Sequence, residues 1–147
     1  MCSYCGCDSE GLVAQLMEDH DRIGALVVQA NTALDSNDFE GAARVSAQIA
    51  RLFERHGAKE EDGLFAELRA EGVAVDSVAE LESEHRALQV DLAVLAAGDV
   101  TALGRVLTQL LDHAGREDTD LFPAALTLLS NEAWVRINKI DSRAPGD

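Results

Sequence analysis

The stretch LFERHGAKEEDGLF at residues 52–65 carries most of the information about this fold, because LLDHAGREDTDLF at residues 110–122 repeats its pattern. In each stretch a glutamate follows a histidine by four residues: Glu60 follows His56, and Glu117 follows His113. Residues four apart lie on one face of a helix, with Cβ atoms roughly 5–6 Å apart, so both members of a pair can reach one ligand. The two stretches therefore predict two similar sites on two helices.

The two remaining histidines complete a repeated unit. His20 ends the tripeptide EDH and His85 ends the tripeptide SEH, and each lies upstream of one HxxxE motif. The chain thus places a helix with a lone histidine before a helix with HxxxE, twice over. Duplicated helical hairpins would pack about an approximate two-fold axis, so we expect matching side chains to converge there on two similar metal ions.

Helical periodicity runs through the whole chain. Good helix formers dominate, only two prolines are present, and apolar residues do not alternate with period two. This pattern predicts an all-α fold, an antiparallel up-down-up-down four-helix bundle with a short extra C-terminal helix at residues 131–139.

The expected boundaries follow from caps and breaks. The four long helices are predicted at residues 9–34, at residues 39–70, from a cap at Asp76 or Ser77 to Gly98, and at residues 99–129. Ser9 is the expected first cap, the turn at residues 35–38 caps the second helix, and Pro123 bends the fourth helix or starts its last turns. We expect the bundle domain over residues 9–140, between a cysteine-containing tail at 1–8 and a flexible tail at 141–147.

Length and charge restrict the class of protein. At 147 residues the chain is long enough for one domain with a sizeable core. Its net charge of −15 disfavours binding to nucleic acid and to anionic membranes. No apolar run reaches the roughly 18 to 20 residues that a membrane span needs, and the first residues do not read as a secretory signal. We therefore expect a cytoplasmic protein.

The histidines lie on apolar helix stripes, where a polar group needs a partner. A single buried histidine is more often a hydrogen-bonded core residue than a metal ligand. Four histidines, one on each long helix, of which two have a glutamate at i+4, are hard to explain in that way. Their burial together with two carboxylates favours a bound metal that neutralises the charge.

The order H … HxxxE … H … HxxxE resembles the hemerythrin-like (HHE) cation-binding family over about residues 12–129. The resemblance implies an antiparallel four-helix bundle with an oxo- or hydroxo-bridged non-haem di-iron centre that handles O2, peroxide, NO or iron. Carried over to this sequence, it assigns one iron to His20 and His56, the other to His85 and His113, and the bridging positions to Glu60 and Glu117.

Two departures from the respiratory hemerythrins bear on the chemistry. Those proteins carry a further histidine one turn away on the third helix, where this chain has Gln89 after His85. Their last motif is HxxxxD, whereas this chain offers Glu117 ahead of Asp118. We take Glu117 as the ligand because it mirrors Glu60. We expect Asp118, Glu61 and Gln89 to lie around the ligands or to face solvent.

The missing histidine leaves one coordination position open on each octahedral iron, which suits peroxide better than reversibly held O2. Three classes of function are compatible with the pattern: an enzyme of peroxide and oxidative-stress chemistry, a sensor or binding protein for O2, NO or iron, and an O2 carrier. The open positions favour the first class, and the missing histidine disfavours the carrier.

Other metal sites fit less well. Ferritin-like bundles use two Glu-x-x-His pairs, and this chain has one such pair, Glu82 with His85. Zinc prefers tetrahedral sites rich in cysteine and histidine, whereas imidazole with bridging carboxylate suits iron or manganese.

The three cysteines, Cys2, Cys5 and Cys7, lie within the first seven residues. An odd number at one end cannot form a disulfide framework across a fold, which suits a reducing compartment. Four interpretations remain open: a reduced tail, a redox partner for the iron centre, an inter-chain disulfide, and a metal clip with a fourth ligand such as Asp8.

Overall fold

The computed structural model describes residues 11–142, and every regular element in that range is helical. The all-α prediction and the extra C-terminal helix are therefore confirmed. The elements in chain order are α1 (Leu12–Asp35), α2 (Phe39–Lys59), π1 (Glu60–Phe65), α3 (Ala66–Glu71), α4 (Val75–Ala96), α5 (Leu103–Arg116), π2 (Glu117–Leu121), α6 (Phe122–Leu128) and α7 (Asn131–Ser142). Since α2, π1 and α3 are continuous, as are α5, π2 and α6, the described residues form five helices.

The start of α2 agrees with the predicted cap. Asp38 accepts a hydrogen bond at 2.9 Å from the backbone nitrogen of Gly41 through its side chain, which satisfies one of the free N–H groups of the first turn.

The predicted cap of the third helix at Asp76 or Ser77 is wrong. The backbone oxygen of Ala74 (φ +51°) accepts the first helical bond, from Val78 at 2.9 Å, so the helix has already begun at Asp76.

The fourth long helix starts later than predicted. The side chain of Asp99 accepts a bond from the backbone nitrogen of Thr101 at 3.1 Å, and this local bond holds a turn instead of a helix. Pro123 is the second residue of α6, so it starts the last turns of the fourth long helix, and its missing N–H falls at the change from π to α geometry, where it is tolerated. The expected cap Ser9 and both the N-terminal tail and residues 143–147 lie outside the described residues. Of the expected C-terminal tail, residues 141 and 142 belong to α7.

Two apolar clusters fill the interior, and each of the four long helices contributes to both. The first cluster contains Leu12, Val13, Leu16, Leu64, Phe65, Leu68, Val78, Leu81, Leu121, Phe122, Ala125, Leu129, Ala133 and Ile137. The second contains Ile23, Val27, Ala30, Ala42, Ile49, Leu52, Phe53, Leu88, Leu92, Leu95, Leu103, Val106, Leu107 and Leu110.

Buried polar side chains separate the two clusters along every long helix. Apart from Ser46, the buried polar residues of the described range fall between the two apolar stretches of their own helix: Asp19, His20, His56, Glu60, His85, His113 and Glu117. The fold therefore gathers the sequence-predicted ligands into one layer between two apolar cores.

The C-terminal helix α7 packs against the first apolar cluster. Arg136 makes a two-point ion pair with Glu67 of α3, at 2.8 and 2.9 Å. The backbone nitrogen of Leu12 donates to the side chain of Asn138 at 3.2 Å. These contacts tie α7 to both α1 and α3, and Ala133 and Ile137 extend the apolar cluster.

Among the described residues, no helix combines the length and the apolar character that crossing a membrane requires.

Candidate metal centre

Each HxxxE motif spans the junction between an α-helix and a π segment. His56 lies in the last turn of α2 and Glu60 is the first residue of π1; His113 lies in the last turn of α5 and Glu117 is the first residue of π2. A π turn carries one residue more than an α turn, and such turns are frequent at functional sites. Here both predicted bridging glutamates lie where α-helical geometry changes to π-helical geometry.

Glu117 is the carboxylate on which the four imidazoles converge. Its oxygens lie at 3.0 Å from His20 Nε2, 3.7 Å from His56 Nε2, 3.7 Å from His85 Nε2 and 3.3 Å from His113 Nε2. Its side chain is fully buried. All four imidazoles therefore turn the same ring nitrogen, Nε2, toward one carboxylate.

Glu60 contacts one histidine of each predicted pair. Its Oε1 lies 2.9 Å from His85 Nε2 and 3.8 Å from His56 Nε2. Across the layer, the Nε2 atoms of His20 and His56 face each other at 3.2 Å. Glu60 and Glu117 thus lie between the two histidine pairs.

Several buried polar atoms of this layer lack an aligned hydrogen-bond partner in the described structure: both carboxylate oxygens of Glu60 and of Glu117, and the Nε2 atoms of His85 and His113. A 2.9 Å separation, such as that from His85 to Glu60, does not amount to a hydrogen bond where the angles are poor. Leaving so many buried polar atoms unpaired is costly in free energy. Ligand atoms around a cation would have this arrangement.

His20 and His85 lie on the helices without an HxxxE motif, and we call them the lone-helix histidines. The outer nitrogen of each, Nδ1, points away from the two glutamates and contacts a carboxylate from the other half of the chain. His20 Nδ1 lies 2.9 Å from Asp118 Oδ1, and His85 Nδ1 lies 2.8 Å from Glu61 Oε2. Both acids directly follow a predicted bridging glutamate in the sequence. The structure therefore places Glu61 and Asp118 around the ligands, in contact with histidine rings.

The Nδ1 atoms of the two motif histidines, His56 and His113, contact acids that were not among the predicted site residues. His56 Nδ1 lies 3.1 Å from Asp19 Oδ2, and His113 Nδ1 lies 2.8 Å from Glu84 Oε1. The sequence does contain a sign of these contacts, because each acid directly precedes a lone-helix histidine, in EDH and in SEH. An outer carboxylate of this kind fixes the ring orientation and raises the basicity of a metal-binding histidine.

Three phenylalanines surround the imidazoles. Phe122 stacks on His20 with ring centroids 5.9 Å apart, Phe65 stacks on His85 at 5.7 Å, and the rings of Phe53 and His85 are perpendicular at 5.3 Å. All three are fully buried. Bulky apolar rings at these positions hold the imidazoles in place and give them apolar surroundings.

The pKa values reflect a buried cluster of mixed charge. Burial alone lowers the pKa of His56 and His85, but contacts with carboxylates outweigh it and raise the pKa to about 9 for His56 and about 10 for His85. Burial and the charge of Glu117 raise the pKa of Glu60 to about 7. The pKa of Glu117 lies well below its usual range, because burial would raise it but contacts with the surrounding histidines lower it by more. The cluster is therefore a site in which protons and metal ions would compete for the same nitrogens.

Two sequence-selected residues lie outside this network. Gln89 is one turn beyond His85 on α4, and a Cβ built at Gly57 would lie 3.9 Å from its side-chain nitrogen; within the described residues, no hydrogen bond joins Gln89 to a predicted ligand. Glu82 pairs with Arg69 at 2.5 Å, and this ion pair gives no support to a ferritin-like Glu82–His85 site. The cysteines Cys2, Cys5 and Cys7 lie outside the described residues.

The described residues contain two groups of side chains whose ligand atoms all lie within 4.8 Å of one another: Glu60, His85, His113 and Glu117 in one, and His20, His56 and Glu117 in the other. Every member is buried. The donor set of imidazole nitrogens and carboxylate oxygens fits a first-row transition metal. The six residues selected from the sequence are thus brought together in a cluster that could hold metal ions.

Comparison with known proteins agrees with this geometry. The family model described as the hemerythrin HHE cation binding domain matches residues 11–125, a span that includes all four histidines and both glutamates of the cluster. No curated protein and no solved structure matches the chain significantly. The family model covers most of the chain, and the chain belongs to the hemerythrin HHE cation-binding domain family.

Proposed function

We propose that the chain is a non-haem di-iron protein whose two ions occupy the buried histidine–glutamate layer. The proposed ligands are His20 and His56 for one iron, His85 and His113 for the other, and Glu60 and Glu117 as bridges. The observation that carries this proposal is the set of buried carboxylate and imidazole atoms without an aligned partner. Bound cations would satisfy these atoms and would offset the cost of burying them.

We further propose that the four long helices form an antiparallel, up-down-up-down bundle. The order of the apolar clusters supports this topology. α1 and α4 each contribute first to the first cluster and then to the second, whereas the two helices that carry HxxxE contribute in the reverse order. Alternating directions bring the middle of every helix to one level, where the six ligands lie.

We propose iron over zinc from the composition of the ligand groups. Both groups combine imidazole nitrogens with carboxylate oxygens, and Glu117 belongs to both. Zinc favours four-coordinate sites that are often built with cysteine, whereas a carboxylate shared by two histidine pairs suits a dinuclear iron or manganese centre.

The favoured activity is the decomposition of hydrogen peroxide, in which two molecules of H2O2 give two of water and one of O2. A di-iron centre supplies the two-electron exchange that this reaction needs, without an external reductant. The chain contributes the rest: Phe53, Phe65 and Phe122 exclude bulk water, and the outer carboxylates hold the Nδ1 protons of the histidines. The glutamine at position 89 leaves that side of His85 without a further imidazole that could take up a coordination position.

The test begins with the protein purified without added chelator. We expect about two irons per chain and absorption from oxo-to-iron charge transfer in the near-ultraviolet and blue. Added peroxide should then release O2, measured with an oxygen electrode, in the iron-loaded protein and not in the metal-free protein. Absence of iron after loading under anaerobic conditions would refute the di-iron proposal.

A second candidate is a binding or sensing protein for O2, NO or iron that does not turn over. It is favoured by the closure of the site, because His56, His85 and His113 are each at most 1% exposed and apolar clusters cover the layer on both sides. Iron-loaded protein that changes its spectrum with NO or O2 but releases no O2 from peroxide would select this candidate.

A further inference from the structure

The outer contacts of the two motif histidines do not end at a carboxylate. Asp19 is buried at 3% exposure, and its Oδ2, which contacts His56, also lies 3.3 Å from Lys59 Nζ. Its other oxygen, Oδ1, accepts a hydrogen bond from Arg22 at 3.2 Å. A buried carboxylate thus links one histidine of the centre to two cations.

The second half of the chain repeats this arrangement. Glu84 Oε1 contacts His113 Nδ1 at 2.8 Å and Arg116 Nη2 at 2.6 Å. Lys59 and Arg116 hold equivalent positions, each directly before a proposed bridging glutamate. Because a cation contacts the outer carboxylate in both halves of the chain, we treat these cations as part of the site.

The lone-helix histidines are held differently. Glu61 contacts His85, and Asp118 contacts His20, but within the described residues no lysine or arginine nitrogen lies within 4 Å of either acid. Each proposed iron therefore has one histidine whose outer carboxylate is paired with a cation and one whose outer carboxylate is not. Both histidines of a pair are ligand candidates through the same ring nitrogen, so the charge on the outer partner is one difference between them that bears on electron donation.

We propose that Asp19 and Glu84 are positioning residues whose charge, reduced by Lys59, Arg22 and Arg116, sets how strongly His56 and His113 donate to the metal centre. This inference rests on the proposed di-iron function. A carboxylate that accepts the Nδ1 proton increases electron donation from the Nε2 atom. A cation on the same carboxylate draws its charge away and weakens that donation. We call this series of contacts, from the cations through Asp19 or Glu84 to the motif histidine, the relay.

The relay predicts that substitutions of the carboxylates and substitutions of the cations shift the reduction potential in opposite directions. Asp19→Asn removes the charge behind His56 and should weaken iron affinity about 10- to 100-fold. It should also raise the reduction potential, because weaker donation disfavours the ferric state. Lys59→Gln and Arg22→Gln should lower the potential, and Glu84→Gln and Arg116→Gln should reproduce the two signs at His113. Arg51→Gln is the matched control, since Arg51 is an exposed arginine of α2.

A double-mutant cycle separates the relay from the plain field of the removed charges. If Lys59 acts through Asp19, the potential of Asp19→Asn/Lys59→Gln will equal that of Asp19→Asn, because the second change has nothing left to act on. Additive shifts would mean that each charge acts directly on the irons and would overturn the relay. Potentials are read by anaerobic spectroelectrochemical titration, in which a tenfold change in ferric over ferrous affinity appears as about 59 mV.

A measurement on metal-free protein keeps the relay testable if iron does not load. The ¹⁵N resonances of the His56 ring report which nitrogen carries the proton and how strongly it is hydrogen-bonded. Asp19→Asn should shift the Nδ1 resonance, and Arg51→Gln should leave it unchanged. Iron loading without any difference between Asp19→Asn and Arg51→Gln overturns the relay alone. Failure to load iron in the parent protein overturns the proposed function, and the ¹⁵N result then decides whether Asp19 positions His56.

Discussion

Glu117 and Glu60 differ in the number of imidazoles they contact. Glu117 lies within 3.7 Å of all four histidines, whereas Glu60 contacts His85 and, at 3.8 Å, His56. Glu117 also belongs to both groups of candidate ligands, and Glu60 to one. The two glutamates hold matching places in the sequence repeat, but they are not equivalent in the site.

This difference predicts unequal effects of removing each carboxylate. Glu60→Gln leaves the group of His20, His56 and Glu117 complete, so we expect about one iron per chain to remain. Glu117→Gln breaks both groups and should abolish iron binding. Metal analysis after anaerobic loading checks both values, with the exposed Asp120→Asn, from the same π segment, as the control. Equal iron content in the two glutamine variants would contradict the central role of Glu117.

The sequence identified the residues that converge in the layer, because i, i+4 spacing and the internal repeat reveal which side chains share a helix face. It did not reveal Asp19 and Glu84. The two acids stand next to His20 and His85 in the sequence, but each contacts the histidine of a different helix. Which neighbouring acid reaches which ring depends on how the helices pack, and spacing within one helix carries no information about that.

The helices with HxxxE each change from α to π geometry at the glutamate. In π1, Gly63 and the side chains of Glu60, Leu64 and Phe65 are all buried, so three side chains of this six-residue segment face the interior. The position of the four long helices could be predicted from periodicity. The π segments could not, since nothing in the sequence of either motif is incompatible with a regular α-helix.

The π geometry can be tested by shortening the chain. A π turn is equivalent to one inserted residue, so deleting the exposed Asp62 should restore an α-helix and keep the apolar face of α3 in register. We expect the variant to fold, with a circular dichroism spectrum like that of the parent, but to lose iron because Glu60 and Glu61 are displaced.

Deleting Glu54, an exposed residue within regular α2, is the control for this experiment. It rotates the following residues by about 100° and should unfold the protein. Unfolding by both deletions, or retention of iron after deletion of Asp62, would contradict the role given to π1.

At the scale of the whole molecule, the layer of buried charge lies between two apolar cores, so metal content should control stability. An ion that binds only the folded state adds about 2.7 kcal/mol at a hundred times its dissociation constant. For a chain of this size, the added free energy corresponds to a rise in melting temperature of about 5–10 °C. Calorimetry of metal-free and iron-loaded protein measures the difference, and identical melting temperatures would show that the layer does not bind iron.

The stability of the metal-free protein and the additional stabilisation by bound metal should respond to pH in opposite ways. In the metal-free protein the pKa is about 9 for His56 and about 10 for His85, above the ordinary value of 6.5. The stability gained from their charged forms is fully present below pH 6.5 and is lost as the pH rises toward 9 to 10. Metal binding displaces these protons, so stabilisation by metal should increase over the same range.

Chemical denaturation between pH 6.5 and 9, with and without metal, checks both trends. A metal-free protein that becomes more stable over this range would contradict the proton-binding role assigned to the two histidines.

The crossed contacts between the two halves have an evolutionary consequence. One half supplies a lone histidine and an HxxxE motif, yet Glu61 of the first half contacts His85 of the second, and Asp118 of the second contacts His20 of the first. An ancestor with a single hairpin would have lacked these partners as a monomer and would have found them in a second copy of itself. Gene duplication followed by fusion would then have turned a symmetric homodimer into one chain, after which each half could acquire its own substitutions.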